Sequence, residues 1–336
     1  MSIFHVKNQC LAVRSWSEAV KSTKVRANAR AMEKSCDLLN RCNITVKCSK
    51  CDQILHDGDE LVELKFFKLP SCEFNEIVDE LYCHQHYHGV DSFDGNIKYS
   101  YFMNGPRKYQ CFVSNYYLLL NADVCKNVNR ENSSLLYCCK CQQNIGCVDI
   151  GPANRYFPRK SCYRYYYTST TLVGKSRVTF EEEAVEHNMF TNSFKSKEQY
   201  LAWLIMTEVE ENGTLHCIVK SLDNHPRLLV SNIWVLDPFV VYACGKLTNS
   251  DATNQHGKVS PFPAVKCLYK RMKDSDEVDP FLRCQQIGGC VNIYLPDDAI
   301  DMLIECLDNN CDELPSICRN MGSNFKAGFL PSACEL

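Results

Sequence analysis

Two Cys-x-x-Cys motifs, separated by a long stretch of sequence, limit how this chain can fold. Cys48 and Cys51 lie in VKCSKCDQIL, and Cys138 and Cys141 lie in YCCKCQQNIGC. Each pair is followed by a polar segment and an isoleucine, a pattern typical of a tight turn at the end of a β-hairpin. Cys51 and Cys138 are 87 positions apart. A metal ion bound by both pairs would therefore join two distant parts of the chain.

Two pairs of cysteines are the ligand set of a closed, tetrahedral zinc site, which stabilises a fold and performs no chemistry. A redox dithiol is one alternative, but redox motifs usually precede a helix, and neither pair does. Cysteines that only pack in a core are the other alternative. Two surplus cysteines, Cys139 and Cys147, could substitute for a ligand. We predict one structural zinc ion, bound by Cys48, Cys51, Cys138 and Cys141.

Composition and cysteine usage bear on the class of protein and its compartment. Apolar residues make up 45% of the 336-residue chain and charged residues 23%, as in a globular protein. The net charge of −3 gives no overall excess of positive charge for a phosphate backbone. An odd number of scattered cysteines, 23, and an N-terminus without a signal peptide indicate a reducing compartment. We expect a cytoplasmic protein without a membrane span, with the nucleus as a second candidate compartment.

Strand-like patterns dominate, and we predict an α+β protein made predominantly of antiparallel β-sheet. Alternation predicts a strand at 24–32, and apolar runs between turn residues predict strands at 61–67, 109–113, 214–219, 227–235 and 239–242. The few helices are predicted in the C-terminal half. A capping box at Ser196 and Gln199 begins one at 197–208, and others follow Pro296 and Pro315. A shift in composition predicts two β-rich domains, 1–150 and 151–336.

A second stretch rich in metal ligands, FKLPSCEFNEIVDELYCHQHYH, spans residues 67–88. It ends in Cys83, His84, His86 and His88, and histidines at every second position share one side of an extended chain. In one interpretation the histidines are solvated and Cys83 is buried. In the other the segment is exposed and offers a thiolate or an imidazole to a metal ion, either of this protein or of a partner.

Several motifs occur in one order along the chain: CSKC, LPS, ELYCH, CCKC, AVKCLY at 264–269 and LPDDAIDMLIECLDNNCDELPSICRNMGSNFKAGFL near the C-terminus. From about residue 45 to 330 they resemble the HECT-like family that binds ubiquitin-conjugating enzymes, which comprises type-D ubiquitin ligases of animals and their fungal relatives. The resemblance implies binding of a ubiquitin-conjugating enzyme and assistance to ubiquitin transfer. By position, the contact would fall near the helix that begins at Lys197 and the strands after it, with Tyr200, Trp203 and Leu204 as the candidate residues.

Members of that family are also linked to pre-mRNA cleavage and polyadenylation, through the metallo-β-lactamase-type endonuclease of that machinery. The resemblance implies that the part reaching toward the two-metal site of this nuclease contains Leu69, Pro70, Ser71, Cys83 and His84. A thiolate is a strong ligand for zinc, so insertion there would hold the nuclease inactive and folded. The resemblance therefore implies an inhibitory chaperone.

Two other functions compete with capture of the nuclease. One is ubiquitin-protein transfer, through a cysteine thioester or by positioning a charged conjugating enzyme. No segment matches the catalytic cysteine of HECT domains; Cys244 is the least implausible nucleophile, and Cys267 and Cys306 fit a packing role.

The other function is RNA binding through GPANRYFPRKSCYRYYYTS, 151–169, where basic and aromatic residues interleave. Such a run is more often a strand with one aromatic face in a core, and we do not expect direct RNA binding.

Overall fold

The computed structural model describes residues 2–6, 10–14, 36–37, 39–58, 63–69, 105–130, 134–149, 161–176, 194–221, 230–242, 262–272, 289–314, 316–321 and 324–333. The chain divides into two compact units. We call Ala31–Asn192 the knuckle unit, and Met1–Arg30 together with Ser193–Leu336 the helical unit. The described chain begins with an antiparallel hairpin of two strands, β1 Ser2–Val6 and β2 Cys10–Arg14.

Ten strands are described in the knuckle unit. They are β3 Cys42–Cys48, β4 Ile54–His56, β5 Lys65–Lys68, β6 Gln110–Val113, β7 Tyr117–Asn121, β8 Val128–Asn129, β9 Leu135–Cys138, β10 Asn144–Asp149, β11 Cys162–Tyr166 and β12 Thr170–Ser176. A seven-stranded sheet has the order β5-β6-β7-β11-β10-β9-β8, and a three-stranded sheet has the order β12-β3-β4. Among these described strands, β5 and β6 form the one parallel pair.

The alternation of β3 shows why these residues form a half-buried strand. Cys42, Ile44, Val46 and Cys48 are buried, and the residues between them are only partly buried. Because side chains of a strand point to opposite faces in turn, one face of β3 packs into the core of the unit. The hairpin β3–β4 and the hairpin β9–β10 each end in one of the cysteine motifs.

The helical unit combines one large sheet with helices. Its further elements are α1 Lys197–Glu211, β13 His216–Ser221, β14 Val230–Tyr242, β15 Phe262–Met272, β16 Val291–Leu295, α2 Asp297–Asp312, α3 Ser316–Arg319, β17 Asn320–Met321 and β18 Phe325–Pro331. The six-stranded sheet has the order β16-β13-β14-β15-β18-β17, in which β13 and β16 run parallel. One side of α2 is buried, with Leu303, Ile304 and Leu307 at 3% exposure or less. A methyl group on Gly328 of β18 would lie 2.7 Å from the Leu307 side chain, so this glycine permits the close packing of helix on sheet.

The predicted fold class is confirmed, because antiparallel sheet dominates and the described helices α1, α2 and α3 lie in the C-terminal half. Helix α1 begins at Lys197 as predicted and extends to Glu211. The strands predicted at 227–235 and 239–242 form one strand, β14, which carries Pro238 where its pairing with β15 shifts register. The helix predicted after Pro315 has only four residues and leads directly into β17. The strand predicted at 24–32 lies outside the described residues.

The domain boundary predicted near residue 150 falls between β10 and β11. These two strands are hydrogen-bonded neighbours in the seven-stranded sheet, and β12 pairs with β3. The boundary between the two compact units lies further along the chain, at the junction of Asn192 and Ser193. In the part of the chain that the structure describes, no helix combines the length and apolarity that a membrane crossing requires.

Candidate metal centre

The first cysteine motif forms a tight turn between β3 and β4. The N–H of Cys48 donates to the carbonyl of Gln53 at 2.9 Å, and the N–H of Asp52 donates to the carbonyl of Cys48 at 3.0 Å. Asp52 adopts a left-handed backbone conformation, with a φ of 56°. The turn folds the chain back, so that the side chains of Cys48 and Cys51 point to the same place.

The second motif repeats this turn between β9 and β10. The N–H of Cys138 donates to the carbonyl of Gln143 at 3.0 Å, and the N–H of Gln142 donates to the carbonyl of Cys138 at 2.9 Å. Gln142 has a φ of 56°, the same value as Asp52 in the first turn. The two turns are therefore equivalent in bonding and in backbone conformation, which is the geometry expected of two metal-binding knuckles.

The four sulfur atoms meet in one cluster. Cys48 Sγ and Cys141 Sγ are 3.6 Å apart, and Cys51 Sγ and Cys138 Sγ are also 3.6 Å apart. All four atoms lie within 4.8 Å of one another. In a tetrahedral zinc site with Zn–S bonds of about 2.3 Å, the sulfurs would be about 3.8 Å apart. The donor set and the spacing therefore fit a four-coordinate zinc ion.

Burial separates the four cysteines into two kinds. Cys48 and Cys138, at the ends of their strands, are fully buried, whereas Cys51 and Cys141 in the turns are partly exposed. Burial, the largest influence, raises the pKa of the Cys48 thiol to about 12. A bound cation would stabilise the thiolate and displace this proton. When bound, zinc would act only as a structural link here, since four thiolates leave no open coordination position.

The two surplus cysteines are not part of the cluster. Cys139 is exposed, and its N–H donates to the carbonyl of Asn127 at 3.0 Å. Cys147 is on β10, where its sulfur accepts a hydrogen bond from the Tyr166 hydroxyl at 3.1 Å. Among the described residues, only Cys48, Cys51, Cys138 and Cys141 form a group of this kind.

A second set of contacts, which the sequence did not predict, joins the first hairpin to the segment before β8. The buried His56 contacts the carbonyl of Val124 through Nδ1 at 2.9 Å. The backbone N–H of Lys126 donates to the carbonyl of Leu55 at 2.8 Å, and its ammonium pairs with Asp57 at 3.0 Å. A lone histidine in an apolar strand gives little signal in a sequence, because its partner is a backbone carbonyl far along the chain.

The predicted donor segment lies mostly outside the described residues. Pro70, Ser71, Cys83 and His84 are among those not described. Leu69 is described: its N–H donates to the carbonyl of Val113 at 2.7 Å, and its side chain packs against the cluster of Phe112, Leu119 and Cys162. Leu69, the last described residue before the rest of this segment, is therefore tied to β6.

The three side chains predicted to contact a conjugating enzyme are buried. Tyr200 is 2% exposed, Trp203 5% and Leu204 0%. Phe194 packs against the first two, with ring centroids 5.8 Å and 5.5 Å away. In the free protein these side chains hold α1 in the helical unit rather than present a contact surface.

The basic and aromatic run at 151–169 is described only from residue 161 onward. Tyr165 and Tyr167 in this part are almost fully buried. Arg164 pairs with Asp149 on the neighbouring strand at 2.6 Å and lies over the Tyr117 ring, 4.9 Å from its centroid. These contacts match the interpretation of a strand with an aromatic face in a core.

The fold and the site define a β-rich protein in which four cysteines from two hairpins of one unit form a cluster that could hold a metal ion. The chain matches the family described as HECT-like Ubiquitin-conjugating enzyme (E2)-binding over residues 6–327, nearly its whole length. The chain therefore belongs to the HECT-like family of E2-binding proteins. Comparison with curated proteins and with solved structures gave no match.

Proposed function

We propose that this protein binds partners rather than transferring ubiquitin through a cysteine of its own. Its proposed partners are a ubiquitin-conjugating enzyme and the metallo-β-lactamase-type endonuclease of pre-mRNA 3′-end processing, which it would capture and stabilise as an inhibitory chaperone. Membership of the E2-binding family supports the first partner. The second rests on the resemblance of the segment from Leu69 to His84.

One observation favours binding over thioester chemistry. In the described part of the chain, every thiol whose pKa is shifted has it raised, with burial as the first cause. Burial raises the pKa of Cys267 to about 12 and that of Cys306 to about 11. A cysteine nucleophile needs the opposite, an accessible thiol with a lowered pKa. Cys267 and Cys306 therefore fit the packing role that the sequence predicts.

Capture of the nuclease has a physical rationale. A two-metal hydrolase that is not yet assembled offers open coordination positions, and a thiolate with a neighbouring imidazole would occupy them. A ligand that binds only the folded state stabilises that state by mass action. Cys83 and His84 would then both block the chemistry of the nuclease and keep it folded.

A pull-down of the endonuclease from cells tests this proposal. We expect Cys83→Ala to lose capture by at least about tenfold, because the variant lacks the thiolate ligand. Cys72→Ala, in the same segment, is the matched control and should capture normally. Zinc content of the purified proteins should stay at one ion in both variants. Unchanged capture by Cys83→Ala, or loss of its zinc, would contradict the proposal.

The family match also favours a second candidate, a ubiquitin-protein ligase that accepts ubiquitin from a conjugating enzyme. Discharge of a ubiquitin-charged conjugating enzyme measures this activity. The variants are Cys139→Ser, Cys318→Ser and Cys244→Ser, of which Cys139 is exposed and Cys318 partly exposed. Discharge that one of these substitutions abolishes would establish the thioester route. Discharge that survives substitution of every candidate cysteine outside the knuckles would exclude the thioester route and leave positioning of the conjugating enzyme as the mechanism.

A further inference from the structure

Helix α2 carries a continuous stripe of acidic side chains on its outer side. The helix contains six acidic residues and no basic residue. Five of them recur every three or four positions and so lie along one side of the helix. Four of the five are exposed and Asp308 is partly exposed. We call these five residues the acidic stripe: Asp298, Asp301, Glu305, Asp308 and Asp312.

Helix stability does not account for this arrangement. Like charges at a spacing of four residues, as in Asp301 with Glu305 and Asp308 with Asp312, destabilise a helix. Acids in the last turn also oppose the helix dipole, and α2 has no basic residue there to compensate. The opposite side of α2 is apolar and buried, and it holds the helix on the sheet. The stripe is therefore a surface feature that the fold carries at some cost.

Cations of neighbouring elements balance the stripe only in part. Arg271 pairs with Asp301 at 3.4 Å, Lys326 with Asp308 at 2.8 Å and Arg319 with Asp312 at 3.6 Å, so three cations face five acids. The Asp301 and Arg271 side chains are both more than half exposed, so solvent screens their attraction strongly. A negative potential remains available to a positively charged partner.

An exposed apolar side chain lies just beyond the C-terminal end of this stripe. Ile317 of α3 is 78% exposed, the highest value among the exposed large apolar side chains of the described residues. The short helix is braced, because Arg319 donates through Nε to the carbonyl of Leu314 at 2.7 Å and contacts Asp312. Met321, on the following strand, is 42% exposed. An exposed apolar side chain on a braced element can anchor an interface, because its backbone loses little conformational freedom on binding.

We propose that the acidic stripe and Ile317 together form the surface on which the ubiquitin-conjugating enzyme binds. The charges select a basic face of that enzyme and speed its association, and Ile317 supplies the apolar anchor that slows its dissociation. This inference rests on the proposed function, which includes binding of such an enzyme. It places the contact on α2 and α3, whereas the contact predicted from the sequence lies on side chains of α1 that are buried in the free protein.

Binding kinetics of purified full-length protein with a panel of recombinant ubiquitin-conjugating enzymes test the surface. On the enzyme that binds the wild-type protein most tightly, Ile317→Ala should weaken the affinity at least about tenfold, mainly through faster dissociation. Leu236→Ala, which removes another exposed apolar side chain of the same unit, is its matched control and should bind like wild type. Thermal unfolding of both variants should match that of wild type, since both side chains are exposed.

A triple substitution, Asp298→Asn with Asp301→Asn and Glu305→Gln, tests the stripe. We expect a several-fold slower association and a weaker dependence of the association rate on salt between about 0.05 and 0.5 M. The matched control removes three exposed acids of the knuckle unit, with Asp37→Asn, Glu63→Gln and Asp123→Asn. It changes the net charge equally and should leave both quantities unchanged.

The outcomes separate this inference from the proposed function. If the wild-type protein binds an enzyme of the panel and either Ile317→Ala or the triple substitution behaves like its control, the proposed surface is wrong while E2 binding stands. If the double substitution Glu198→Gln with Glu210→Gln on α1 weakens binding and the triple substitution of the stripe does not, the contact lies on α1. If the wild-type protein binds no enzyme of the panel, both the surface and the E2 part of the proposed function are overturned.

Discussion

At the residue scale, the second knuckle depends on a glycine that no side chain can replace. Gly146 follows a register shift between β9 and β10, beside the turn of Cys138 and Cys141. A methyl group at this position would lie 1.8 Å from the backbone carbonyl oxygen of Arg164 on the next strand. Backbone atoms of a central strand cannot move aside as a flexible side chain can, so the close approach requires glycine.

We expect Gly146→Ala to destabilise the protein by about 1–3 kcal/mol, since the two strands must separate to admit the methyl group. Gly213→Ala provides the control: there a methyl group meets no atom within 4 Å, and only the positive φ of 60° opposes it. That substitution should cost about 1 kcal/mol. Equilibrium denaturation with urea measures the loss in free energy of unfolding for both variants. Losses of equal size would mean that the contact with Arg164 relaxes easily.

A buried histidine makes the knuckle unit sensitive to acid. His56 is fully buried, and its Nε2 has no hydrogen-bond partner among the described residues. Burial lowers the pKa of His56 below its ordinary value of 6.5, although the bond to the Val124 carbonyl and the charge of Asp57 act in the opposite direction. The folded state therefore excludes a proton that the unfolded chain accepts below pH 6.5.

The stability that His56 contributes is complete above pH 6.5 and falls as the pH drops below that value. The loss approaches about 1.4 kcal/mol for each pH unit until the folded-state pKa is reached. We expect His56→Gln to reduce the difference in free energy of unfolding between pH 7.5 and pH 5.5 by about 1 kcal/mol. Urea denaturation at the two pH values compares the proteins. Because both keep the four cysteines, an equal pH dependence would exclude His56 as the cause.

At the scale of elements, α1 illustrates how a helix start is encoded locally. The Ser196 side chain accepts from the N–H of Gln199 at 3.3 Å, and the Gln199 side chain accepts from the N–H of Lys195 at 2.7 Å. This capping box provides acceptors for N–H groups at the start of the helix, which have no carbonyl of a preceding helical turn to bond. Its residues lie within five positions, so the sequence alone predicts the first residue of the helix.

Removal of this cap should destabilise the helical unit. We expect Ser196→Ala to lower its free energy of unfolding by about 1 kcal/mol. Ser196→Asp should retain the wild-type value, because a carboxylate also accepts from the N–H groups and favours the positive end of the helix dipole. Thermal unfolding followed by circular dichroism distinguishes the two, and a loss of equal size in both variants would count against capping.

At the scale of the whole molecule, the four clustered cysteines bring together hairpins that are far apart in sequence. One hairpin spans residues 42–56 and the other 135–149, and both belong to the knuckle unit. Each is also held by its sheet, the first in the three-stranded and the second in the seven-stranded sheet. A metal ion at the four sulfurs would therefore connect the two sheets at one end.

Chelation of the metal should consequently destabilise the knuckle unit and spare the helical unit. We expect the knuckle unit to lose about 3 kcal/mol or more of stability, since structural zinc sites contribute about 10 kcal/mol in small domains. Hydrogen exchange measured by mass spectrometry should accelerate in 42–56 and 135–149, while α2 and β15 keep their protection. Cys51→Ser should reproduce this pattern without chelator. Uniform acceleration along the chain would argue against a local link.

Much of the candidate site could be predicted from the sequence, because metal ligands have characteristic types and spacings. The paired motifs alone identified Cys48, Cys51, Cys138 and Cys141, and the four sulfurs form one cluster. The contact predicted at Tyr200, Trp203 and Leu204 stays a prediction, and all three side chains are buried in the free protein. A resemblance to a family can indicate which helix contacts a partner. Which side of that helix is exposed depends on how the helix packs in the fold.

The class of fold, the start of α1 and the four cysteines of the cluster could be predicted from the sequence, because each rests on neighbours along the chain. Alternation, caps and Cys-x-x-Cys turns act over a few residues. The order of strands, the partner of His56 and the close approach at Gly146 could not be predicted in this way, because they depend on residues that folding brings together from distant positions. The acidic stripe depends on local and on tertiary features. Its spacing is local, and its exposure follows from the side of α2 that the sheet covers.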